Sequence, residues 1–139
     1  MYKKINILKI LTLFFGDPYS GVYLREASRK LKMNPMTVKR GLEVLLKNGL
    51  LVREGGPRTA LFKANYSDPE FRHMKLAYSL HQIKEAKLVE KICSELQGVS
   101  SIIIFGSVAK GGDSTESDLD LLIIRMHGSL SPAKIKGIL

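Results

Sequence analysis

Ser101-Ile-Ile-Ile-Phe105-Gly106-Ser107-Val-Ala-Lys110-Gly111-Gly112-Asp-Ser-Thr-Glu-Ser117-Asp118-Leu119-Asp120-Leu-Leu-Ile-Ile124 joins two apolar, largely β-branched runs through a glycine-rich polar loop. Such runs predict strands, here over 101–105 and 118–125, with the loop at 106–117. Glycine at a strand end lets backbone N–H groups approach an anion closely, and the Ser107 hydroxyl adds a further donor. Side chains two apart on a strand point to the same side, so Asp118 and Asp120 form an adjacent carboxylate pair. Two such carboxylates repel each other unless a cation sits between them, and Mg²⁺, which takes oxygen ligands and bridges substrate phosphates, suits that position. Taken singly, a Gly-Ser is usually only a turn and an Asp-x-Asp usually a solvated face. The two at this spacing, each beside an apolar strand, are far more specific.

Working outward, the chain holds 139 residues with 45% hydrophobic and 25% charged content, the balance of a globular protein with one domain or two small ones. Its single cysteine, Cys93, excludes an internal disulfide and is expected to be buried near Ile92 and Leu96; a reducing cytoplasm is the expected compartment. Lys3-Lys4 ahead of the apolar run Ile5 to Phe15 has the look of a secretory leader, but Lys9 interrupts it and the apolar spacing is helical. No run reaches the ~18 apolar residues of a membrane span. The net charge of +9 is unevenly spread: residues 1–64 carry 13 Lys/Arg against 4 Asp/Glu, and residues 65–139 carry 9 of each. The excess sits wholly in the first half, as expected of a segment that meets a polyanion.

That half predicts a strongly apolar helix over 2–15, ended by Gly16-Asp17-Pro18, and a short extended piece at 19–23. A second helix follows over 24–31, with Leu24, Ala27 and Leu31 on one face. Asn34-Pro35 supplies a cap and a first-turn proline for a third helix whose inner face is Val38, Leu42, Leu45 and Leu46. Two strands, 50–54 and 60–65, make a β-hairpin. At 100° per residue, burial of Val38, Leu42 and Leu45 turns Met36, Arg40, Glu43 and Lys47 outward, flanked by Thr37 and Lys39. Polar and cationic side chains on such a helix fit a DNA major groove, where they read base edges. Arg53 and Arg58, in and beside the hairpin, suit phosphate contacts. Met36, Thr37, Lys39, Arg40, Lys47, Arg53 and Arg58 are therefore the candidate DNA-binding residues. An ordinary solvated helix face is the competing reading, and Glu43 on that face favours it slightly.

Residues 68–97 predict a long helical region with a bend or break near His81-Gln82 and with Phe71, Met74, Ala77, Leu80, Ile83, Leu88, Ile92 and Leu96 as its apolar positions. Ser131-Pro132 begins a further helix. His73, His81 and His127 show no metal-ligand spacing.

The stretch from Leu24 to Leu51 resembles the second helix, turn and recognition helix of winged helix-turn-helix regulators, a resemblance that covers residues 5–65. The Gly106-Ser107 and Ser117-Asp118-Leu119-Asp120 motifs resemble those of minimal nucleotidyltransferases of the DNA polymerase β superfamily, over about residues 83–125. Together they imply an α+β protein with three parts: a winged helix-turn-helix domain at 1–67, a connecting helix at 68–82, and an incomplete nucleotidyltransferase-like domain at 83–139. The second resemblance implies that Gly106 and Ser107 hold a triphosphate, with Lys110 near phosphate where the family often has Arg. It makes Asp118 and Asp120 both the metal ligands and the catalytic pair, with Mg²⁺ and an NTP as ligands. That family also uses a third carboxylate on a later strand, and no Asp or Glu follows Asp120, so the chain is expected to be a fragment or a shortened, inactive domain. The first function expected is a DNA-binding regulator with an NTP–Mg²⁺-binding region, dimeric through the first helix or residues 69–82 and bound to double-stranded DNA. The alternative is an active enzyme transferring NMP to a nucleic acid or partner protein, with a link to toxin–antitoxin systems.

Overall fold

The computed structural model describes residues 2–56 and 59–126; Arg58, His127 and the helix expected from Ser131-Pro132 lie outside them. The apolar N-terminal run forms helix α1 (Tyr2–Leu11), then tightens into a 3-10 turn, Thr12–Phe14, instead of continuing to residue 15 as one α-helix. Ile10, Leu11, Phe14 and Phe15 are buried. Helix α2 (Leu24–Leu31) ends at Lys32 in the left-handed region. Helix α3 (Pro35–Lys47) starts where expected: the Asn34 side chain accepts the Met36 N–H at 2.8 Å, and proline takes the first turn. Val38, Leu42 and Leu45 form its inner face. Gly41 lies on that face because a Cβ there would strike Ile10, so its absence lets α1 and α3 pack closely.

The expected hairpin is the larger part of a three-stranded antiparallel sheet. Strands β2 (Leu51–Glu54) and β3 (Leu61–Ala64) pair through Leu51↔Ala64, and the extended piece after Pro18 adds β1 (Gly21–Tyr23), giving the order β1-β3-β2. Val22 and Phe62, opposite each other, point into the core. Among the described residues, fifteen buried apolar side chains from α1, the 3-10 turn with Phe15, α2, α3, this sheet with Leu50, and Phe71 make one cluster.

Helix α4 (Pro69–Glu85) opens on Asp68, whose carboxylate accepts the N–H groups of Glu70 at 2.8 Å and Phe71 at 3.2 Å. It passes His81-Gln82 and position 82 without a break; the interruption comes at Ala86-Lys87, with Lys87 left-handed. Its buried stripe is Phe71, Lys75, Ser79 and Ile83, whereas Ala77 and Leu80, expected inside, are exposed. Phe71 belongs to the first cluster, its ring 5.7 Å from Phe15, and Ile83 to a second cluster with Leu88, Ile92 and Val108. One helix thus joins both cores.

Helix α5 (Leu88–Glu95) buries Leu88 and Ile92 and turns Cys93 outward, correcting its expected burial: one residue on from Ile92 is 100° around the helix. Strand β4 (Val99–Phe105) pairs antiparallel with β5 (Asp120–Arg125), with Phe105 opposite Asp120. Between them, where a wholly irregular loop was expected, lies the single helical turn α6 (Gly106–Ala109). Leu119, Leu121 and Ile123 pack on the second cluster, as do Ile102 and Ile104. The fold is α+β as expected, and among the described residues no helix is long and apolar enough to cross a membrane.

Candidate functional site

β4 ends at Phe105 and the chain reverses at Gly106, whose φ of +73° only glycine adopts without strain. A second constraint acts at the same atom: a Cβ on Gly106 would collide with the Asp120 carboxylate, which lies over it. The structure therefore brings the Gly-Ser turn and the second aspartate into contact, a proximity fixed by the Phe105↔Asp120 register. Gly106 and Ser107 occupy the first turn of α6, where backbone N–H groups have no partner within a helix. Ser107 turns its carbonyl the other way, accepting the N–H groups of Lys110 at 3.1 Å and Gly112 at 2.9 Å.

β5 begins at Asp120, so Asp118 stands two residues ahead of the strand and not within it as expected. The alternation nevertheless extends back to it: Asp118 and Asp120 are exposed, while Leu119 and Leu121 turn inward. Among the described residues no hydrogen bond or ion pair engages either carboxylate, and Lys110, one turn beyond Ser107, is exposed. Two exposed oxygen-donor groups, with no cationic side chain paired to either among the described residues, fit two positions of a Mg²⁺ ligand set. Among the described residues no group of three or more His, Cys, Asp or Glu side chains is placed to hold a metal ion.

The loop between Gly111 and Ser117 is fixed from behind. Ser114 N–H donates to Ser117 Oγ at 2.9 Å, and Ser117 N–H returns to the Ser114 carbonyl at 3.0 Å. Thr115 N–H donates to the Gly16 carbonyl at 2.8 Å. Asp113 meets Lys75 and Ser79 of α4. A cavity of about 480 Å³ opens beside these contacts, walled by Phe15, Tyr78, Ile83, Val108 and Leu119. Ser117 lines it along with Leu119, but Asp118 and Asp120 do not. Lys75 and Ser79 went unread in the sequence. Their only signal was a four-residue spacing with Phe71 and Ile83, and a lysine at such a position ordinarily points to water.

In the first half, Met36, Lys39, Arg40, Glu43, Lys47 and Arg53 are exposed and Thr37 is half-buried. The α3 residues line one outer face, as expected, opposite Val38, Leu42 and Leu45. Arg53 lies on β2. Lys39 and Glu43 approach to 3.8 Å, a contact that an exposed pair makes and breaks readily.

A family model described as the nucleotidyltransferase domain matches residues 86–129. The match takes in the Gly-Ser turn, both aspartates and both strands of the second sheet, and it begins at the break between α4 and α5. No curated protein and no solved structure matches the chain.

Proposed function

We propose that this chain binds a nucleoside triphosphate with Mg²⁺ at the Gly106-Ser107 turn and the Asp118–Asp120 pair, and binds double-stranded DNA through α3 as a winged helix-turn-helix regulator. The observation that supports the nucleotide part is the close approach of the Asp120 carboxylate to Gly106; on this reading a phosphate at the turn and a metal ion on Asp120 would lie within one ligand's reach. Ser107 Oγ and the first-turn N–H groups donate to phosphate oxygens, and Lys110 adds positive charge at the same end of the loop. Asp118 and Asp120 would hold Mg²⁺, which neutralises phosphate charge when bound. The DNA part rests on the basic first half, the outward face of α3 and the exposed Arg53 of β2. Arg58 would join the phosphate contacts, the β2–β3 pair would act as the wing, and the working form would be a homodimer in the cytoplasm. The boundaries proposed are 1–67 for the DNA-binding part, 68–82 for the connector and 83–139 for the nucleotidyltransferase-like part.

Nucleotidyl transfer to a nucleic acid or partner protein is the second reading, and the family match over 86–129 favours it. It requires a third carboxylate beyond the pair described. Binding of a fluorescent ATP analogue with Mg²⁺, paired with electrophoretic shifts of DNA from around the gene, tests the first reading. Asp118→Ala and Asp120→Ala should each weaken the analogue by about tenfold or more and leave the DNA shift intact. A wild-type protein that retains neither ligand overturns the proposal. Incubation with α-labelled NTPs separates the readings, since only the enzyme yields a labelled acceptor that Asp118→Ala abolishes.

A further inference from the structure

Four side chains at four-residue intervals, Phe71, Lys75, Ser79 and Ile83, make the buried stripe of α4. The outer two are apolar and each enters a different core. The inner two are polar and sit at the seam between those cores, with Lys75 only 2% exposed. Lys75 Nζ donates to Asp113 Oδ2 at 2.6 Å and to Ser79 Oγ at 3.2 Å, while Ser79 Oγ donates to Asp113 at 3.0 Å. Stability alone does not account for this arrangement, because apolar side chains of similar volume commonly replace a buried ion pair at no loss. A buried pair does exclude alternative positions, since a shift leaves both charges without partners.

What is held in place is the loop bearing the candidate site. Asp113 lies between the Gly106-Ser107 turn and Asp118, and its neighbours are fastened as well. Gly111 has a φ of +65° and sits so near the Arg72 carbonyl that no Cβ fits, and Gly112 lies against the Tyr66 hydroxyl. Thr115 is tied to Gly16, and the Ser114–Ser117 turn ends immediately before Asp118. Asp118 and Asp120, just beyond the fastened loop, stand exposed.

We propose that Lys75 and Ser79 are positioning residues for the metal–nucleotide site, acting through Asp113 to fix the loop that presents Asp118. The inference rests on the assignment of Asp118 and Asp120 as metal ligands. It adds to that site two residues of α4, which lies outside the matched stretch 86–129. A lone metal ion is then held tightly only while the lock is closed, because the loop otherwise samples positions in which the two carboxylates do not converge.

Mn²⁺ alone, titrated into the full chain and followed by electron paramagnetic resonance, tests this. Lys75→Met and Asp113→Asn each strand one partner and risk unfolding, so the deciding variant is the double Lys75→Met/Asp113→Leu, which removes both charges. Its melting temperature should stay near that of the wild type while Mn²⁺ affinity falls by about tenfold, the usual scale for loss of an outer positioning contact. Asp118→Ala should abolish the signal change. A folded double variant with wild-type Mn²⁺ affinity overturns the positioning role and leaves the site assignment standing. Wild-type Mn²⁺ binding that ignores Asp118→Ala, or no binding at all, overturns the site assignment and the positioning role with it.

Discussion

Leu42 of α3 and Leu122 of β5 sit at the middle of regular elements, yet the first is fully buried and the second is 52% exposed. They mark a difference between two regions. The N-terminal region closes three helices and a sheet around fifteen apolar side chains. The C-terminal sheet has two strands among the described residues, with one face packed on Ile83, Leu88, Ile92 and Val108. Its other face shows Ile103, Phe105, Leu122 and Ile124 to solvent, with Asp118 and Asp120 at one end. The first region therefore carries its proposed DNA-facing residues, on the polar face of α3, outside a closed core. The second places its candidate chemistry on the open side of a sheet, where carboxylates stay hydrated and within reach of a metal ion.

The largest expected effect attacks this difference directly. Leu42→Ala should destabilise the protein by roughly 2–5 kcal/mol in chemical denaturation, since it leaves a cavity in a closed core. Leu122→Ala should cost about 0.5 kcal/mol or less, the scale of an exposed substitution. Equal losses would mean that the open face is covered in solution. Gly106→Ala comes next, at roughly 2–4 kcal/mol, combining the left-handed backbone penalty with overpacking against Asp120. It should also weaken Mn²⁺ binding, whereas Gly16→Ala, whose Cβ would meet only Thr115 at 3.5 Å, should leave Mn²⁺ affinity unchanged.

Smaller effects are expected on the α3 face, because its side chains support no core. Arg40→Ala should weaken DNA binding by about 1–3 kcal/mol and relax selectivity at one base pair, and Arg53→Ala should lower the salt slope by about one. Fluorescence anisotropy at several salt concentrations measures both. Melting temperatures unchanged within error would show that the losses are in the interface. Unchanged anisotropy in both variants would break the assignment of α3 as the DNA-facing helix.

How far the sequence revealed this arrangement depended on whether the determinants were local. Asn34-Pro35 and the Val38-Leu42-Leu45 spacing specify α3 within one stretch, and the Ile102–Phe105 run followed by Gly106 specifies a strand and its reversal. The Phe71-Lys75-Ser79-Ile83 stripe was not legible, because what keeps Lys75 inside is Asp113, 38 residues away. The sequence marks β1 only as an extended piece, since three residues become a strand through pairing with β3, forty positions on at Val22↔Phe62. The alternation of Asp118 with Asp120 predicts both on the strand; that alternation is real, but pairing with β4 stops at Phe105↔Asp120. Lys87 interrupts the long helix in a left-handed conformation, which a lysine gives no local sign of adopting.

The smallest expected effect lies at the junction of the two regions. Tyr66 packs its ring 5.4 Å from that of Tyr19 and its hydroxyl against Gly112 of the site loop. Partial desolvation, then the nearby Tyr19 hydroxyl, raise its pKa above the usual value near 10, with Arg72 opposing weakly. The folded chain thus keeps the phenolic proton at a pH where the unfolded chain has lost it. The Tyr66 contribution to stability is complete below pH 10 and is lost as the pH climbs through the higher folded value. Thermal melts at pH 9 and pH 10.5 should accordingly show a slightly larger fall for the wild type than for Tyr66→Phe, which has no proton to lose. Identical falls would mean that Tyr66 is as hydrated in the folded chain as in the unfolded one. The loop would then be held to the first region by its Thr115–Gly16 and Asp113–Lys75 contacts without a desolvated Tyr66, and the seam between the cores would admit water at that end.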